Sequence, residues 1–192
     1  MKVILASASP RRRELLKLIG LDPEVRIPEI NENMEVDEPI ERYLERVTIS
    51  KGMNVYQKRF YSSLVVSADT VVLIDGRFIG KPRDRQDAGD MLRRLSGRSH
   101  EVWTGMAIMH RGETCFRLAQ TQVIFKTLNE REIEYYLDHE EYMDKAGAYA
   151  VQGRAAIFVE RIEGCFFNVM GFPLNLFYTM SSNLGIRLFA ES

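Results

Sequence analysis

Two places in this 192-residue chain put charged side chains where folding alone would not choose them. The first is Ser7-Ala8-Ser9-Pro10-Arg11-Arg12-Arg13. Ser9 suits a helix N-cap, and Pro10 suits the first helical position. Arg11, Arg12 and Arg13 then fall in the first turn, where aligned peptide dipoles already present partial positive charge. Each cation there costs a few tenths to about 1 kcal/mol, and a bound polyanion reverses the sign. Backbone N–H groups, hydroxyls and guanidinium forks would then converge on phosphate oxygens. The competing reading is a solvated basic turn relieved by Glu14. The dipole argument also predicts that removing these cations leaves ligand-free stability unchanged or slightly higher.

The second place is Asp69. It lies between Val65-Val66 and Val71-Val72, with the small residues Ser67, Ala68 and Thr70 around it. A carboxylate inside such a β-branched run is costly unless it meets a cation, a metal ion or hydrogen-bond donors. It is either a site residue or a strand-end aspartate capping a bulge. Gly80-Lys81-Pro82 offers a cationic partner. A tight hairpin at Asp75-Gly76 sets Thr70 opposite Lys81 across the ladder and leaves Asp69 on the other face. Bringing all three together therefore needs a kink or bulge near Asp69. Lys51 and Glu32 are further candidates, although each alone reads as an ordinary surface charge.

Other chemistries find no support. There is no P-loop, GxSxG, HExxH or EF-hand pattern. His100, His110 and His139 are scattered without metal-ligand spacing and read as surface residues. Cys115 and Cys165 form no CxxC pair and read as buried or idle thiols of a reducing compartment. A formal net charge of -1 supplies no global basic field for non-specific nucleic-acid binding, so anion binding has to be local. No apolar run approaches a membrane span, and Met1–Ala6 leads straight into charged residues rather than a signal peptide. The cytosol is the expected compartment.

The elements that must position these residues follow from periodicity. Val3–Ala6 reads as a short buried strand, followed by a helix from Pro10 to about Ile19 closed by Gly20. A helix is expected around Ile40–Val55, then strand-like runs at Leu64–Ser67 and Val71–Ile74 broken by Ala68-Asp69-Thr70. Asp84 can cap a helix bearing Ala88, Met91, Leu92 and Leu95, with Gly97 past its end. Strands at Val102–Met109 and Phe116–Phe125 flank a turn at Arg111-Gly112. Asn129 and Glu132 form a capping-box pair for a helix to about Leu137. A strand at Ala155–Glu160, a turn at Glu163-Gly164 and a helix from near Pro173 complete the chain. Interleaved strands and helices with several hairpins predict an α/β fold with a mixed sheet. The length suits one domain of residues 1–192, with room for two lobes.

Taken in order, these segments resemble the Maf family of nucleotide pyrophosphatases almost from end to end. The resemblance rests on Leu5-Ala6-Ser7-Ala8-Ser9-Pro10-Arg11-Arg12, Ala68-Asp69-Thr70-Val71-Val72 and Gly80-Lys81-Pro82. It continues through Met91–Gly97 to His100 and Thr104-Gly105, then Asp144–Tyr149, Val151-Gln152-Gly153 and Val169–Leu174. It implies an elongated α/β fold with a mixed sheet, flanking helices and two lobes around a central cleft, often dimeric and related in shape to inosine triphosphate pyrophosphatases. It also implies hydrolysis of a nucleoside triphosphate to monophosphate and pyrophosphate with Mg²⁺ or Mn²⁺. Asp69 would be the general base, Ser7, Arg12, Lys51 and Lys81 would contact phosphates, and Glu32 would help Asp69 hold the metal. Arg13 would give electrostatic support. Arg11, Thr70 and Gln152 match the branch acting on dTTP and UTP, whereas the 7-methyl-GTP branch resembles Trp, Gln and Glu there. Gly52 and Ala150 depart from the family's more usual Ala and Gly. An enzyme for modified nucleotides and a nucleotide-sensing regulator of cell division are the competing readings. Asp69 counts against a sensor, which needs a phosphate clamp but no base.

Overall fold

The four consecutive apolar residues near the start form strand β1 (Val3–Ala6), buried at every position as an interior parallel strand requires. The computed structural model describes residues 1–57 and 60–189. Helix α1 (Pro10–Leu18) buries Leu15 and Leu16, and the chain leaves it through Gly20 at φ 79°. It returns as β2 (Glu24–Arg26), parallel to β1. Helix α2 (Ile40–Val55) precedes β3 (Leu64–Ile74), which also pairs parallel with β1. Asp75 and Gly76, at φ 50° and 69°, turn β3 into antiparallel β4 (Arg77–Ile79), as a tight hairpin demands.

Helix α3 (Arg85–Leu95) is capped by Asp84, whose side chain accepts the Asp87 N–H. Then follow β5 (Ser99–His110), β6 (Glu113–Phe125) and α4 (Glu130–His139), the last opened by a complete Asn129/Glu132 capping box. Short 3-10 turns at Ala146–Ala148 and Arg154–Phe158 lead to β7 (Val159–Glu163), α5 (Phe166–Val169) and α6 (Leu174–Asn183). The sheet runs β2-β1-β3-β5-β6-β7, with β4 paired to β3. This is the expected α/β class with a mixed sheet. None of the described helices is long and apolar enough to cross a membrane.

The chain divides into two compact units. The first comprises Met1–Asp69, Thr104–Ala119 and Gly171–Ser192; the second comprises Thr70–Trp103 and Gln120–Met170. In the first, Ile4, Ala6, Val55, Phe60, Val65, Ala107 and Met109 form a core cluster. Helix α2 lies unusually close to its sheet. A Cβ on Gly52 would fall 2.4 Å from Met109 Cε and 2.9 Å from Ser67 Oγ. A Cβ on Gly105 would fall 2.8 Å from Thr48 Oγ1. The departure at Gly52 is therefore matched to the methionine beneath it. Ser67 Oγ fastens the same contact by donating to the Thr48 carbonyl at 2.7 Å.

The second unit is centred on rings. Phe125 makes edge contacts with His100, Tyr149 and Phe158 at centroid distances of 4.9, 4.8 and 6.0 Å. His100 is only 2% exposed, so the expectation of a surface histidine is corrected. It shares a face of β5 with Val102 and Thr104, and its Nε2 lies 2.7 Å from the Tyr149 hydroxyl. Its Nδ1 has no hydrogen-bond partner among the described residues. Burial holds its pKa down at about 4. An unfolded histidine titrates near 6.5, so folding stability is complete above that pH and falls as pH drops towards 4. The loss is expected to approach about 3 kcal/mol. Denaturant unfolding at pH 7 and pH 5 should show it, and His100→Gln should flatten that part of the dependence. Parallel pH profiles for the two proteins would remove His100 as the cause.

Three further expectations are corrected. β3 is unbroken through Ala68-Asp69-Thr70. The Thr70–Lys81 pairing does not form, because the ladder ends at Val72–Ile79. Residues 154–158 take the 3-10 turn in place of the expected strand start, and the strand begins only at Val159.

Candidate active site

Two hydrogen-bonded groups meet on consecutive residues of β3, all within the first unit. Ala68 contributes its carbonyl to one and Asp69 its carboxylate to the other. Asp69 is 9% exposed, and its Oδ1 accepts from Lys51 Nζ at 2.6 Å. The same ammonium donates to Glu32 Oε2 at 2.7 Å. Lys51 is 6% exposed, which corrects its reading as an ordinary surface charge. The cause is helical period. Leu44, Val47, Lys51 and Val55 share the buried stripe of α2, and the close approach at Gly52 brings that stripe against β3. Glu32 comes from the irregular segment before α2 and keeps its side chain 51% exposed.

Arg12 organises the other group. Its Nε donates to the Gly171 carbonyl at 2.9 Å, and its Nη1 donates to the Ala68 carbonyl at 2.6 Å and to Ser7 Oγ at 3.1 Å. Burial pushes the guanidinium pKa down, while Asp69 and Glu32 pull it up. Ser7 Oγ also accepts the Ser9 N–H at 3.1 Å. Ser9 does occupy the N-cap of α1, but its side chain caps nothing, which corrects the expectation of a capping serine. The three arginines have therefore separated in role. Arg12 is a half-buried strut between segments, Arg11 is half-buried without those contacts, and Arg13 is exposed 3.9 Å from Asp22.

The second unit holds the remaining candidates. Thr70 is half-buried on β3. Lys81 is exposed just after Gly80, whose carbonyl accepts the Gly147 N–H at 3.0 Å. Gln152 is exposed, beside Gly153 at φ 90°.

Sequence reasoning missed Tyr43 and Arg46. The Tyr43 hydroxyl donates to the Glu32 carbonyl at 3.1 Å, and Arg46 donates to the Asn33 carbonyl at 2.9 Å. Contacts to loop carbonyls leave no motif. The only available signal was that Tyr43 precedes the buried stripe of α2.

Chemically, two carboxylates from separate segments converge on one cation, next to a half-buried guanidinium and a hydroxyl. No group of three His, Cys, Asp or Glu side chains able to hold a metal occurs among the described residues. Mg²⁺ commonly uses one or two carboxylates and completes its shell with substrate phosphates and water, so Glu32 with Asp69 fits such an ion.

The α/β fold with its mixed sheet is that of the Ham1 proteins. The chain matches the Staphylococcus aureus Ham1 protein with a TM-score of 0.54 over 96% of this chain and 100% of that one. At 14% identity this likeness speaks for the fold alone. The chain belongs to the Maf family, whose Maf-like protein model matches residues 2–184. It is 39% identical to a Clostridium botulinum protein named dTTP/UTP pyrophosphatase, over 94% of this chain and 97% of that one. A Symbiobacterium thermophilum protein of the same name is 42% identical, over 98% and 96% of the two chains.

Proposed function

We propose that this chain is a dTTP/UTP pyrophosphatase that hydrolyses the bond between α- and β-phosphates, releasing the nucleoside monophosphate and pyrophosphate. The observation that carries the reading is the buried Asp69 carboxylate held by Lys51 beside Glu32. The names carried by its relatives point the same way. In this reading residues 1–192 act as one nucleotide pyrophosphatase domain, in the cytoplasm, as a homodimer, with no nucleic-acid or membrane partner.

Asp69 orients a water on the α-phosphorus and takes its proton, a task that needs a carboxylate within hydrogen-bond reach of that water. Lys51 neutralises Asp69 in the free protein. Incoming phosphate oxygens compete for the ammonium, so substrate binding loosens the pair and frees the base as it supplies the clamp. Ser7, Arg12 and Lys81 contact phosphate oxygens, and Arg11 and Arg13 raise the local positive potential that stabilises the leaving pyrophosphate. Glu32 and Asp69 would hold Mg²⁺ or Mn²⁺, which supplies charge neutralisation on the phosphates and a more acidic water. Gln152 reads the pyrimidine edge, because its amide both donates and accepts. Arg11 and Thr70 complete the set that distinguishes the branch.

The test is kcat/KM for dTTP, UTP and 7-methyl-GTP with Mg²⁺ in wild type and Gln152→Glu. The wild type should favour the two pyrimidine nucleotides. The substitution should narrow the preference by about 1–3 kcal/mol, the size of a mispaired base-reading contact. A wild type favouring 7-methyl-GTP would contradict the reading, and unaltered ratios in the variant would take Gln152 out of base recognition.

A further inference from the structure

Residues 27–39, which carry Glu32, form neither helix nor strand. An irregular segment of that length has much conformational freedom to lose, and a half-exposed carboxylate on it would sample many positions. Yet it is pinned to one side of α2 at three places. Asn54 Oδ1 accepts the Glu29 N–H and its Nδ2 donates to the Glu29 carbonyl, both at 3.2 Å. Tyr43 Oη donates to the Glu32 carbonyl at 3.1 Å. Arg46 forks onto Glu38, with Nε to Oε1 and Nη2 to Oε2 at 2.7 Å each, while Nη2 also reaches the Asn33 carbonyl.

The two inner anchors flank Glu32 directly, since one holds its own carbonyl and the other the next residue's. They also brace each other, because the Arg46 guanidinium lies 5.8 Å from the Tyr43 ring centroid one helical turn away. Helix α2 bears Lys51 as well, so one rigid element fixes both the loop of Glu32 and the ammonium its carboxylate meets. Tyr43 is 7% exposed, so its hydroxyl meets the loop from within the fold.

We propose that Tyr43 and Arg46 are positioning residues for the phosphate-cleaving site. They hold the main chain of Glu32 and Asn33 so that the Glu32 carboxylate remains with Asp69, and thereby set the protein's affinity for the divalent cation. The inference rests on the proposed role of Glu32 in holding that cation. Groups that orient a metal-holding carboxylate commonly change metal affinity by about tenfold or more when removed.

The experiment is direct Mn²⁺ binding to the full chain, followed by the electron paramagnetic resonance of free Mn²⁺, with an α,β-imido analogue of dTTP present. Wild type, Tyr43→Phe, Arg46→Lys, Glu32→Gln and the double variant Tyr43→Phe/Glu32→Gln are compared. Tyr43→Phe keeps the ring and its packing, and Arg46→Lys keeps the charge but loses the fork. Each is expected to weaken Mn²⁺ binding by roughly tenfold while leaving the thermal midpoint nearly unchanged. Once Glu32 has lost its charge, Tyr43→Phe should add no further loss. Wild-type Mn²⁺ affinity in Tyr43→Phe or Arg46→Lys, with Glu32→Gln impaired, would overturn the proposal for that residue alone. Losses that multiply in the double variant would show Tyr43 acting by another route. A Glu32→Gln protein that binds Mn²⁺ like wild type would overturn the reading of Glu32, and the proposal with it.

Discussion

Asp69→Asn is expected to lower kcat by about 10²–10⁴-fold, the usual contribution of a general base. Nucleotide affinity should change far less, because asparagine keeps the shape and the clamp is untouched. The fold should survive. Removing one partner of a buried ion pair normally costs several kcal/mol because the other charge is stranded. Here Lys51 keeps Glu32 at 2.7 Å, and that carboxylate is half in water, so the stranded charge has a solvated partner. Single-turnover kinetics with dTTP, beside a nucleotide-binding isotherm and an unfolding curve, separate the three effects. A near-normal kcat in a folded variant would remove Asp69 from the chemistry.

Arg12→Ala carries the largest expected effect on stability, and its sign opposes the one the helix dipole alone predicts. The dipole argument treats the arginines at the start of α1 as exposed, and for Arg13 that holds. Arg12 instead supplies donors to the Ala68 and Gly171 carbonyls and to Ser7 Oγ. Those acceptors lie on three separate segments, and truncation leaves buried oxygens without that donor. Each hydrogen bond lost from the charged guanidinium costs about 1.5–3 kcal/mol, more than the few tenths regained at the helix start. A loss of about 3 kcal/mol or more is expected. Arg13→Ala should stay within about 0.5 kcal/mol, as surface substitutions do. Urea midpoints for both variants test the contrast. Equal midpoints would mean that the Arg12 guanidinium is held by solvent rather than by the fold.

Much of this architecture is legible in the residues because local chemistry and tertiary packing agree. The Asp75-Gly76 hairpin, the Asp84 cap and the Asn129/Glu132 capping box all form where their residue types require. Expectation fails where a tertiary partner overrides a local preference. Ala68-Asp69 reads as a break, but Lys51 meets the carboxylate, so β3 continues. Ser9 has the chemistry of a cap, yet its side chain accepts no N–H of the helix. Other signals were present and only needed counting. Lys51 lies four residues after Val47 and four before Val55, on the apolar stripe of α2. His100 alternates with Val102 and Thr104, the period of a buried strand face. Tyr43 and Arg46 are different, because they hold backbone carbonyls, which carry no residue identity.

The central claim is that water attacks the α-phosphorus at Asp69. Hydrolysis of dTTP by the wild type in ¹⁸O-enriched water, with Mg²⁺ and product analysis by mass spectrometry, addresses it directly. The account predicts dTMP and pyrophosphate in equal amounts, with the label in dTMP and none in pyrophosphate. Label in pyrophosphate, or release of orthophosphate with dTDP, would place the attack on another phosphorus and contradict it.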